Sequence, residues 1–453
     1  KTLKEIRNAK GLSLAALAEK SNTTKSYLSK IENEKRDASI STIRAVCKAL
    51  GIPLNIFILL SEDIEEDEYF ELNNMSWLES MSSQIEYSQA GIASIDSLAK
   101  ALSLTSIELV KLANQASNLY RISKQIEKVD GSKRVVYDAL SPLKVVLSTF
   151  RKRIIDKAVL PEHISAGKKG KSYIDNAEVH AGSKGLLSED IKNFFPQVSS
   201  KSVFEAFKYL YKMSPDVAEI AALMCTKDGY LVQGSPVSGS LANVIFFAKE
   251  PSLVDSLKLL GFRYTRYYDD VHISHETDDF SRNLGELRTK VYGVFLSQGL
   301  QPHRTANKSH YANGSRQMTV HGIITNNAKI KPNPKLVSDT RSMLFQMERL
   351  LETDYTIDSV VSLYRSIRGK IQTLKAQGSK KSDGQLRTLN SLIQKVDEGK
   401  AKKFVRKVRK IKTRKEYNKL SSKLAVLKKI NVKVMKVVKI ECGLAKKRIS
   451  NLN

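Results

Sequence analysis

The sequence predicts an α+β protein in which an all-helical N-terminal domain precedes a mixed region with an antiparallel sheet and a helical C-terminal region. Apolar residues recur at helical spacing through residues 1–60 and again from Ile330 onward. Between these regions, residues 262–268 and 271–274 are rich in β-branched and aromatic side chains. These two runs predict the strands of a hairpin with Asp269 and Asp270 at its turn.

The chain is strongly basic, with 75 lysine and arginine residues against 47 aspartate and glutamate residues and a formal net charge of +28. Such a field concentrates polyanions, and phosphate neutralisation releases counterions, so nucleic acid is the expected partner. No run approaches the roughly 20 apolar residues of a membrane-spanning helix, so we expect a cytoplasmic protein without a membrane partner. The three cysteines lack the spacing of zinc ligands.

The N-terminal stretch, residues 1–60, predicts a compact helical domain, in which Ser13 and Thr24 each precede a helical pattern in the position of an N-cap. The order of residues 17–21 (LAEKS) and 27–32 (YLSKIE) resembles helix-turn-helix domains of phage-repressor type. Domains of this type contact a DNA major groove or serve as protein-contact modules, and both alternatives remain open. The resemblance places these residues on the contacting surface: Thr24, Lys25, Ser26, Ser29 and Lys30.

An acidic segment at residues 61–68, in which six of eight residues are aspartate or glutamate, predicts a solvated linker over residues 61–90. Helical patterns over residues 95–120 are followed by a strand-like pattern over residues 120–137 around a turn at residues 130–132. Lys133 and Arg134 lie just beyond that turn, placed to reach a phosphate. Helical spacing then returns over residues 142–158, and its predicted core face comprises Val145, Val146, Leu147, Phe150 and Ile154.

Three more stretches carry candidate chemistry, although each has an ordinary structural explanation when taken alone. Asp190 ends an apolar run and precedes Phe195 by five residues, so it is either a metal ligand or a polar strand end. The turn at residues 233–236 (QGSP) contains small residues that allow a close approach to its backbone. Lys308 lies downstream of Asp270 in the chain and is otherwise an exposed lysine.

Taken in order, Asp190, residues 233–236, residues 267–270 (YYDD) and Lys308 resemble the palm of reverse transcriptases. The resemblance implies a right-hand polymerase with fingers, a palm built on the antiparallel sheet, and a helical thumb. Asp190, Asp269 and Asp270 would hold two Mg²⁺ ions, which lower the pKa of the primer hydroxyl and stabilise charge on the transferring phosphorus. Lys308 would protonate the leaving pyrophosphate.

The same resemblance assigns residues to the incoming dNTP. Lys133 and Arg134 would contact its triphosphate, and Gln233 and Gly234 would border it. Phe195 would exclude a ribose 2′-hydroxyl and so favour deoxynucleotides.

Two elements narrow the resemblance to retron reverse transcriptases. Residues 176–180 (NAEVH) contain the Asn-Ala-x-x-His element of that family, and residues 320–322 (VHG) are similar to its Val-Thr-Gly element. His321 stands where the family has threonine, and Tyr268 stands where it usually has alanine. These family elements are implied to bind RNA through Asn176, His180, Val320, His321 and Gly322.

The family resemblance implies a specific product and specific partners. Such an enzyme recognises its own structured non-coding RNA as template and primer and begins synthesis from a 2′-hydroxyl of a guanosine in it. It consumes dNTPs and makes branched, RNA-linked single-stranded DNA, which serves anti-phage defence together with an effector protein. The implied domains are a helix-turn-helix domain at 1–60, an acidic linker at 61–90, fingers and palm at 91–325, and a basic helical thumb and RNA-binding region at 326–453.

The C-terminal segment, residues 401–453, contains nineteen lysine and arginine residues and two glutamates, which is more than half of the net charge. Interleaved apolar residues favour folded basic helices over a disordered tail. These apolar residues are Val405, Val408, Ile411, Leu424, Leu427 and Ile430. We expect this surface to hold an RNA stem-loop or the template duplex through phosphates and 2′-hydroxyls.

Two other functions fit parts of the same pattern. One is a bacterial defence polymerase of the abortive-infection type, which makes DNA without a template or from a protein primer. The other is a nucleic-acid-binding regulator that keeps a polymerase-like scaffold without activity. Asp190, Asp269 and Asp270 are all present, which disfavours the inactive alternative.

Overall fold

The computed structural model of the chain describes residues 3–9, 11–33, 42, 45–46, 49–50, 83–127, 131, 133–277, 284–411, 413–429 and 432–450. Three predicted features lie outside these residues: the acidic segment at 61–68, turn positions 130 and 132, and the apolar side chain at 430. The chain divides into two compact units. The first contains Lys1–Ser172 and Lys184–Tyr311, and the second contains Tyr173–Ser183 and Ala312–Asn453.

The N-terminal domain begins with three short helices, α1 (Leu3–Ala9), α2 (Leu14–Lys20) and α3 (Lys25–Glu32). The predicted caps are present, because Ser13 accepts a hydrogen bond from the backbone of α2 and Thr24 accepts one from the backbone of α3. Their apolar faces form a small core of buried residues that comprises Leu3, Leu17, Ala18, Leu28, Val46 and Leu50.

Both helices and strands occur between residues 83 and 333, and helices alone follow, so the predicted α+β class with an all-helical domain first is confirmed. The further helices are α4 (Ile95–Leu102), α5 (Ser106–Gln115), α6 (Leu143–Arg153), α7 (Tyr173–Val179), α8 (Phe194–Gln197), α9 (Ser200–Glu205), α10 (Pro215–Cys225), α11 (Ser238–Val244), α12 (Glu250–Leu259), α13 (Leu284–Leu296), α14 (Pro334–Glu352), α15 (Ile357–Ala376), α16 (Ser382–Gln394), α17 (Glu398–Arg406), α18 (Arg414–Leu427) and α19 (Val432–Ser450). The strands are β1 (Tyr120–Glu127), β2 (Lys133–Ala139), β3 (Gly185–Asp190), β4 (Arg263–Tyr267), β5 (Asp270–His275), β6 (His310–Asn313), β7 (Thr319–Val320) and β8 (Ile323–Ile324).

A four-stranded sheet in the order β4-β5-β3-β6 positions the candidate chemistry. β4 and β5 form the predicted hairpin, and β5 also pairs with β3 in antiparallel register. All six residues of β3 (GLLSED) are buried, so this strand does not alternate between buried apolar and exposed polar residues. Its polar residues Ser188, Glu189 and Asp190 are buried together with its apolar ones. β1 and β2 form a separate antiparallel ribbon, as the turn at residues 130–132 predicts.

The core position predicted for one residue of α6 is wrong. Val146, Leu147, Phe150 and Ile154 are buried as expected, but Val145 is 62% exposed. A helix turns by about 100° per residue, so Val145 lies beside the buried stripe and outside it, and apolar character alone did not reveal this.

The second unit contains α7, the short β7–β8 hairpin and six helices from α14 to α19. Its C-terminal basic segment is helical, and four of the predicted apolar positions are buried: Val405, Val408, Leu424 and Leu427. These side chains share one core with α14, α15 and α16. Among the described residues, no helix is both long enough and apolar enough to cross a membrane.

Candidate active site

The β4–β5 hairpin brings the three aspartates together. Asp270 begins β5 and lies directly opposite Asp190, the last residue of β3, in the antiparallel register. Asp269 occupies the two-residue turn with Tyr268, which has a left-handed φ of 57°. The carbonyl of Asp269 also accepts a hydrogen bond from the backbone of Ile191 at 3.1 Å, so the turn is fastened to the end of β3.

Two of the three aspartates of the site have raised pKa values. Burial, the charge of Asp269 and a hydrogen bond with Asp190 raise the pKa of Asp270 to about 7. Burial and the charge of Asp190 also raise the pKa of Asp269. Carboxylates that share a site disfavour one another's charged form, so an approaching cation would be attracted strongly.

Lys308 is the cation closest to this cluster, and its Nζ donates to Oδ2 of Asp190 at 2.8 Å. Burial by itself lowers the pKa of Lys308, but the hydrogen bond and the carboxylate charges outweigh that effect and raise it. The side chain is therefore held protonated beside the aspartates. Proton donation to a leaving group requires that protonation state.

The donor set fits hard divalent cations, because carboxylate oxygens are the ligands that Mg²⁺ prefers. Asp190, Asp269 and Asp270 would hold such ions at the end of β3 and the start of β5. Across the described residues, however, no three aspartate, glutamate, histidine or cysteine side chains already converge as a finished ligand cluster.

The β1–β2 ribbon carries the residues predicted to contact the triphosphate. Lys133 and Arg134 are exposed at the start of β2, and the positive charge of Arg134 acts on Asp269 by lowering its pKa. The backbone N–H of Tyr137 donates to the carbonyl of Gln233 at 2.8 Å, which joins this ribbon to the turn at residues 233–236. A side chain at Gly234 would place Cβ 2.1 Å from the Tyr137 carbonyl, so only glycine fits there.

Phe195 lies beside the aspartate turn, with its ring centroid 6.3 Å from that of Tyr268. The Tyr268 hydroxyl in turn points toward two glycines. A Cβ at Gly167 would lie 2.8 Å from that hydroxyl oxygen, and a Cβ at Gly239 would lie 3.2 Å from it. The bulky residue of the turn thus occupies space that these two glycines leave open.

Sequence reasoning assigned no role to Arg266, which is one of the largest fully buried side chains of the protein. Its guanidinium donates to the backbone carbonyls of Asn243 at 2.9 Å and of Tyr268 at 3.3 Å. It also pairs with Glu250 on α12, and the hydroxyl of Tyr264 donates to the same carboxylate at 2.8 Å. Arg266 therefore links the aspartate turn to helix α11, which follows the turn at residues 233–236.

Glu189 is a second residue without a predicted role. It is 1% exposed and accepts hydrogen bonds from Arg288 Nε at 2.9 Å, the Tyr292 hydroxyl at 2.8 Å and the Ser309 hydroxyl at 3.1 Å. These bonds fix the residue that directly precedes Asp190 to α13 and to the residue that follows Lys308. The one sequence signal was the position of Glu189 within a predicted strand, because a buried carboxylate needs hydrogen-bond partners.

The two elements assigned to RNA recognition meet in the second unit. Helix α7, which contains Asn176, packs against the β7–β8 hairpin, whose turn is formed by His321 and Gly322. Both turn residues have positive φ, 50° and 77°, as a two-residue hairpin turn requires. Asn176 and His180 are 1% and 0% exposed, which favours positioning of the hairpin over direct contact with RNA.

The remaining residues of that element are also mostly covered. Val320 is fully buried, and the His321 ring lies edge-on to Tyr173 at a centroid distance of 6.3 Å. Burial lowers the pKa of His321 to about 4, so this side chain is a neutral packing group at physiological pH. Contact of these five residues with RNA stays a prediction.

The helix-turn-helix residues lie on one side of α3. Thr24, Lys25, Ser26 and Lys30 are exposed and Ser29 is half-buried. The Thr24 hydroxyl already caps α3 by accepting from the backbone of Tyr27 at 3.2 Å, so it is less available to a partner than its neighbours are. A buried, two-pronged ion pair between Arg7 and Glu32 holds α1 against α3.

Comparison with known proteins agrees with both parts of the chain. Residues 3–57 match the Helix-turn-helix family. The Retron Se72 reverse transcriptase of Salmonella heidelberg is 28% identical over 251 residues, which cover 55% of this chain and 65% of that protein. The Retron Ec48 reverse transcriptase of Escherichia coli is 27% identical over 263 residues, which cover 56% and 63%. The resemblance to retron reverse transcriptases is confirmed.

This homology extends over about half of the present chain, and the chain spans just under two thirds of the length of these two relatives. Among solved structures, apo telomerase from Candida tropicalis aligns over 98% of this chain and 96% of its own, with a TM-score of 0.37 and 10% identity. That score is too low to inform the site.

Proposed function

We propose that this chain is an RNA-directed DNA polymerase of the retron type. The observation that supports the proposal most directly is the cross-strand register of Asp190 with Asp270, with Asp269 in the adjoining turn. It occurs in a chain that is homologous to retron reverse transcriptases over about half its length. The proposed domains keep the predicted bounds, with fingers and palm at 91–325 and the thumb at 326–453.

In the proposed reaction, the oxygen of a primer hydroxyl attacks the α-phosphorus of a dNTP, and the bond from that phosphorus to pyrophosphate breaks. Two Mg²⁺ ions held by the three aspartates would supply activation of the hydroxyl and charge stabilisation at phosphorus. Lys308 is protonated and donates a proton to the departing pyrophosphate. Lys133 and Arg134 bind the triphosphate from the β1–β2 ribbon.

The remaining residues select and place the nucleotide. Gln233 and Gly234 border the incoming dNTP, and the hydrogen bond from Tyr137 keeps their turn against the ribbon that carries Arg134. Phe195, beside the aspartate turn, excludes nucleotides that bear a 2′-hydroxyl.

The proposed template and primer is the protein's own structured non-coding RNA. Synthesis would begin from a guanosine 2′-hydroxyl in the cytoplasm and yield branched, RNA-linked single-stranded DNA that acts with an effector protein in anti-phage defence. Asn176, His180, Val320, His321 and Gly322 would serve RNA recognition, and the exposed side of α3 would contact DNA or the effector.

The polymerase activity is tested by incorporation of labelled dNTPs on a primed RNA template with Mg²⁺. Replacing Asp269 and Asp270 together with alanine is expected to abolish incorporation, because both carboxylates leave the site. Asp255→Asn, on the exposed side of α12, is the matched control that removes one charge elsewhere in the same unit and should retain activity. Activity that survives the double substitution would overturn the site assignment.

The retron product is tested by sequencing the nucleic acid that copurifies with the chain. We expect DNA joined to RNA, whose mobility changes on ribonuclease treatment and on cleavage of the 2′–5′ branch. DNA of random sequence, or DNA attached to the protein, would instead identify the abortive-infection type.

A further inference from the structure

A basic groove crosses the second unit between α15 and α18, with a volume of about 400 Å³. Arg365, Arg368 and Gly369 line it from α15, and Val426 and Lys429 line it from the end of α18 and just beyond. None of the described residues that line the groove is acidic. Its volume lies in the ordinary range for a small-ligand pocket.

Two cations of the groove, Arg368 and Lys429, are close to each other. Burial and the charge of Arg368 both lower the pKa of Lys429, which shows that the two side chains repel. In the part of the chain that the structure describes, neither Arg368 nor Lys429 has an ion pair. Basic residues nearby differ, because Lys370 pairs with Asp339 and Lys423 pairs with Asp358.

Gly369 widens the groove but makes helix α15 less stable. A glycine inside an exposed helix is less favourable than alanine by about 1 kcal/mol. Nothing in the packing requires it, because a Cβ at this position would meet no heavy atom within 4 Å and the residue lacks a positive φ. Ala425 on the facing helix is also small and exposed. The notch between Gly369 and Ala425 therefore stays open below the cations.

We propose that this groove binds one unpaired nucleotide of an RNA strand. Arg368 and Lys429 take its phosphate, and the base lies against Ala425 and Val426. The proposal rests on the RNA partner of the proposed function. An unpaired nucleotide fits better than a duplex, because a duplex offers phosphates but keeps its bases stacked and out of a notch between two helices.

The test measures binding of a short, unstructured, fluorescent oligoribonucleotide to the full chain in EDTA and without dNTPs. Arg368→Glu with Lys429→Glu is expected to weaken binding by about tenfold or more and to reduce the log–log salt slope by about 0.7, the value for one phosphate of a single strand. Lys111→Glu with Lys201→Glu is the matched control. These residues are exposed on α5 and α9, outside the basic C-terminal segment, and the same change in net charge there should weaken binding by less than about threefold.

A second pair of variants tests the notch without changing charge. Gly369→Gln keeps the helix and fills the space, so it should weaken oligoribonucleotide binding about tenfold while thermal unfolding is unchanged or higher. Gly369→Ala adds one methyl group and should bind as the unmodified chain does. Equal affinity of the glutamine variant, or equal losses in the groove and control charge reversals, would overturn the site.

Two competitors identify the ligand. A blunt RNA duplex and a single-stranded DNA of the same sequence are measured as well. The Arg368→Glu with Lys429→Glu variant should lose less affinity for each of these two than for the oligoribonucleotide. An equal loss with the duplex overturns the unpaired nucleotide, and an equal loss with DNA overturns the choice of RNA. Incorporation of dNTPs by the unmodified chain is measured separately, so a failure of the polymerase proposal and a failure of the groove proposal remain distinguishable.

Discussion

Arg266 donates from Nε to one oxygen of Glu250 at 2.6 Å and from Nη2 to the other at 2.9 Å, where neither side chain is more than 2% exposed. The same guanidinium holds the backbone carbonyls of Asn243 and Tyr268, and it lies over the Phe246 ring at 4.6 Å. Glu250 therefore fixes the guanidinium, and the guanidinium fixes the turn that carries Asp269 relative to α11.

Arg266→Met is expected to destabilise the region around the β4–β5 hairpin by about 3–5 kcal/mol, because it leaves the Glu250 carboxylate buried and uncompensated. Hydrogen exchange of the β4 and β5 amides measures this local stability. Lys290→Met breaks an exposed pair with Glu286 and should cost less than about 1 kcal/mol.

Arg266→Met combined with Glu250→Leu tests whether the unpaired carboxylate causes the destabilisation, because this double variant removes the carboxylate as well. Much of the lost protection should return in this double variant. If the double variant exchanges as fast as the single one, the unpaired charge is not what destabilises the hairpin.

The same pair predicts a dependence on pH. Burial alone would raise the pKa of Glu250, but the charge and hydrogen bonds of Arg266 and the nearby His163 outweigh burial and lower it. A carboxyl whose folded pKa lies below its unfolded value of about 4.3 stabilises the protein fully above that pH and loses this contribution as the pH falls further. The titration of Glu250 should therefore change the hydrogen-exchange protection of the β4–β5 hairpin little between pH 5 and pH 8 in the unmodified chain.

In Arg266→Met the pKa of Glu250 should shift in the opposite direction, because burial then dominates and raises it. The cost of the substitution should be greatest at pH 8 and should shrink toward pH 5 as the carboxyl takes up a proton. Hydrogen exchange at both values, corrected for the intrinsic rate, measures the difference. Arg266→Met with Glu250→Leu should show no such trend, even though His163 and Tyr264 still face the position.

The hairpin, the strand that ends at Asp190, and the helical caps at Ser13 and Thr24 were predictable because each follows from a local pattern. Arg266 was not, because Arg263 and Arg266 look alike in sequence, and only the neighbouring elements decide that Arg266 is buried against Glu250. Asn176 and His180 belong to a short motif, but their burial depends on the β7–β8 hairpin, which lies far downstream in the chain. Long-range contacts of this kind leave no periodic signal.

Tyr268 and Gly239 should be energetically coupled, because a Cβ at Gly239 would lie 3.2 Å from the Tyr268 hydroxyl oxygen. Gly239→Ala must displace the ring and with it the turn that carries Asp269, so we expect about tenfold slower dNTP incorporation. In a Tyr268→Ala background the same substitution should have almost no effect. A double-mutant cycle on the incorporation rate measures the coupling.

Gly285→Ala is the matched control for this cycle, because a Cβ at Gly285 on α13 meets no atom within 4 Å. It should leave the rate unchanged in both backgrounds. An equal penalty of Gly239→Ala with and without the tyrosine ring would show that the crowding arises from another neighbour.

Asn176→Ala and His180→Ala are expected to spare extension of a generic primed template but to abolish the branched product from the protein's own RNA. Both side chains are buried in the second unit, and α7 packs on the β7–β8 hairpin, so their loss displaces that hairpin and leaves the three aspartates in place. The two assays, run on the same preparations, measure the difference. Glu178→Ala, on the exposed side of α7, should behave as the unmodified chain in both.

Gly322→Ala distinguishes positioning of the hairpin from direct contact by Asn176 and His180. Its φ of 77° is strained for alanine, so the substitution distorts the β7–β8 turn while Asn176 and His180 stay intact. If α7 acts through the hairpin, Gly322→Ala must reproduce the loss of branched product with generic extension preserved. Normal branching in Gly322→Ala, or equal loss in both assays for the α7 variants, would contradict this role, since the hairpin is the part of the second unit against which α7 packs.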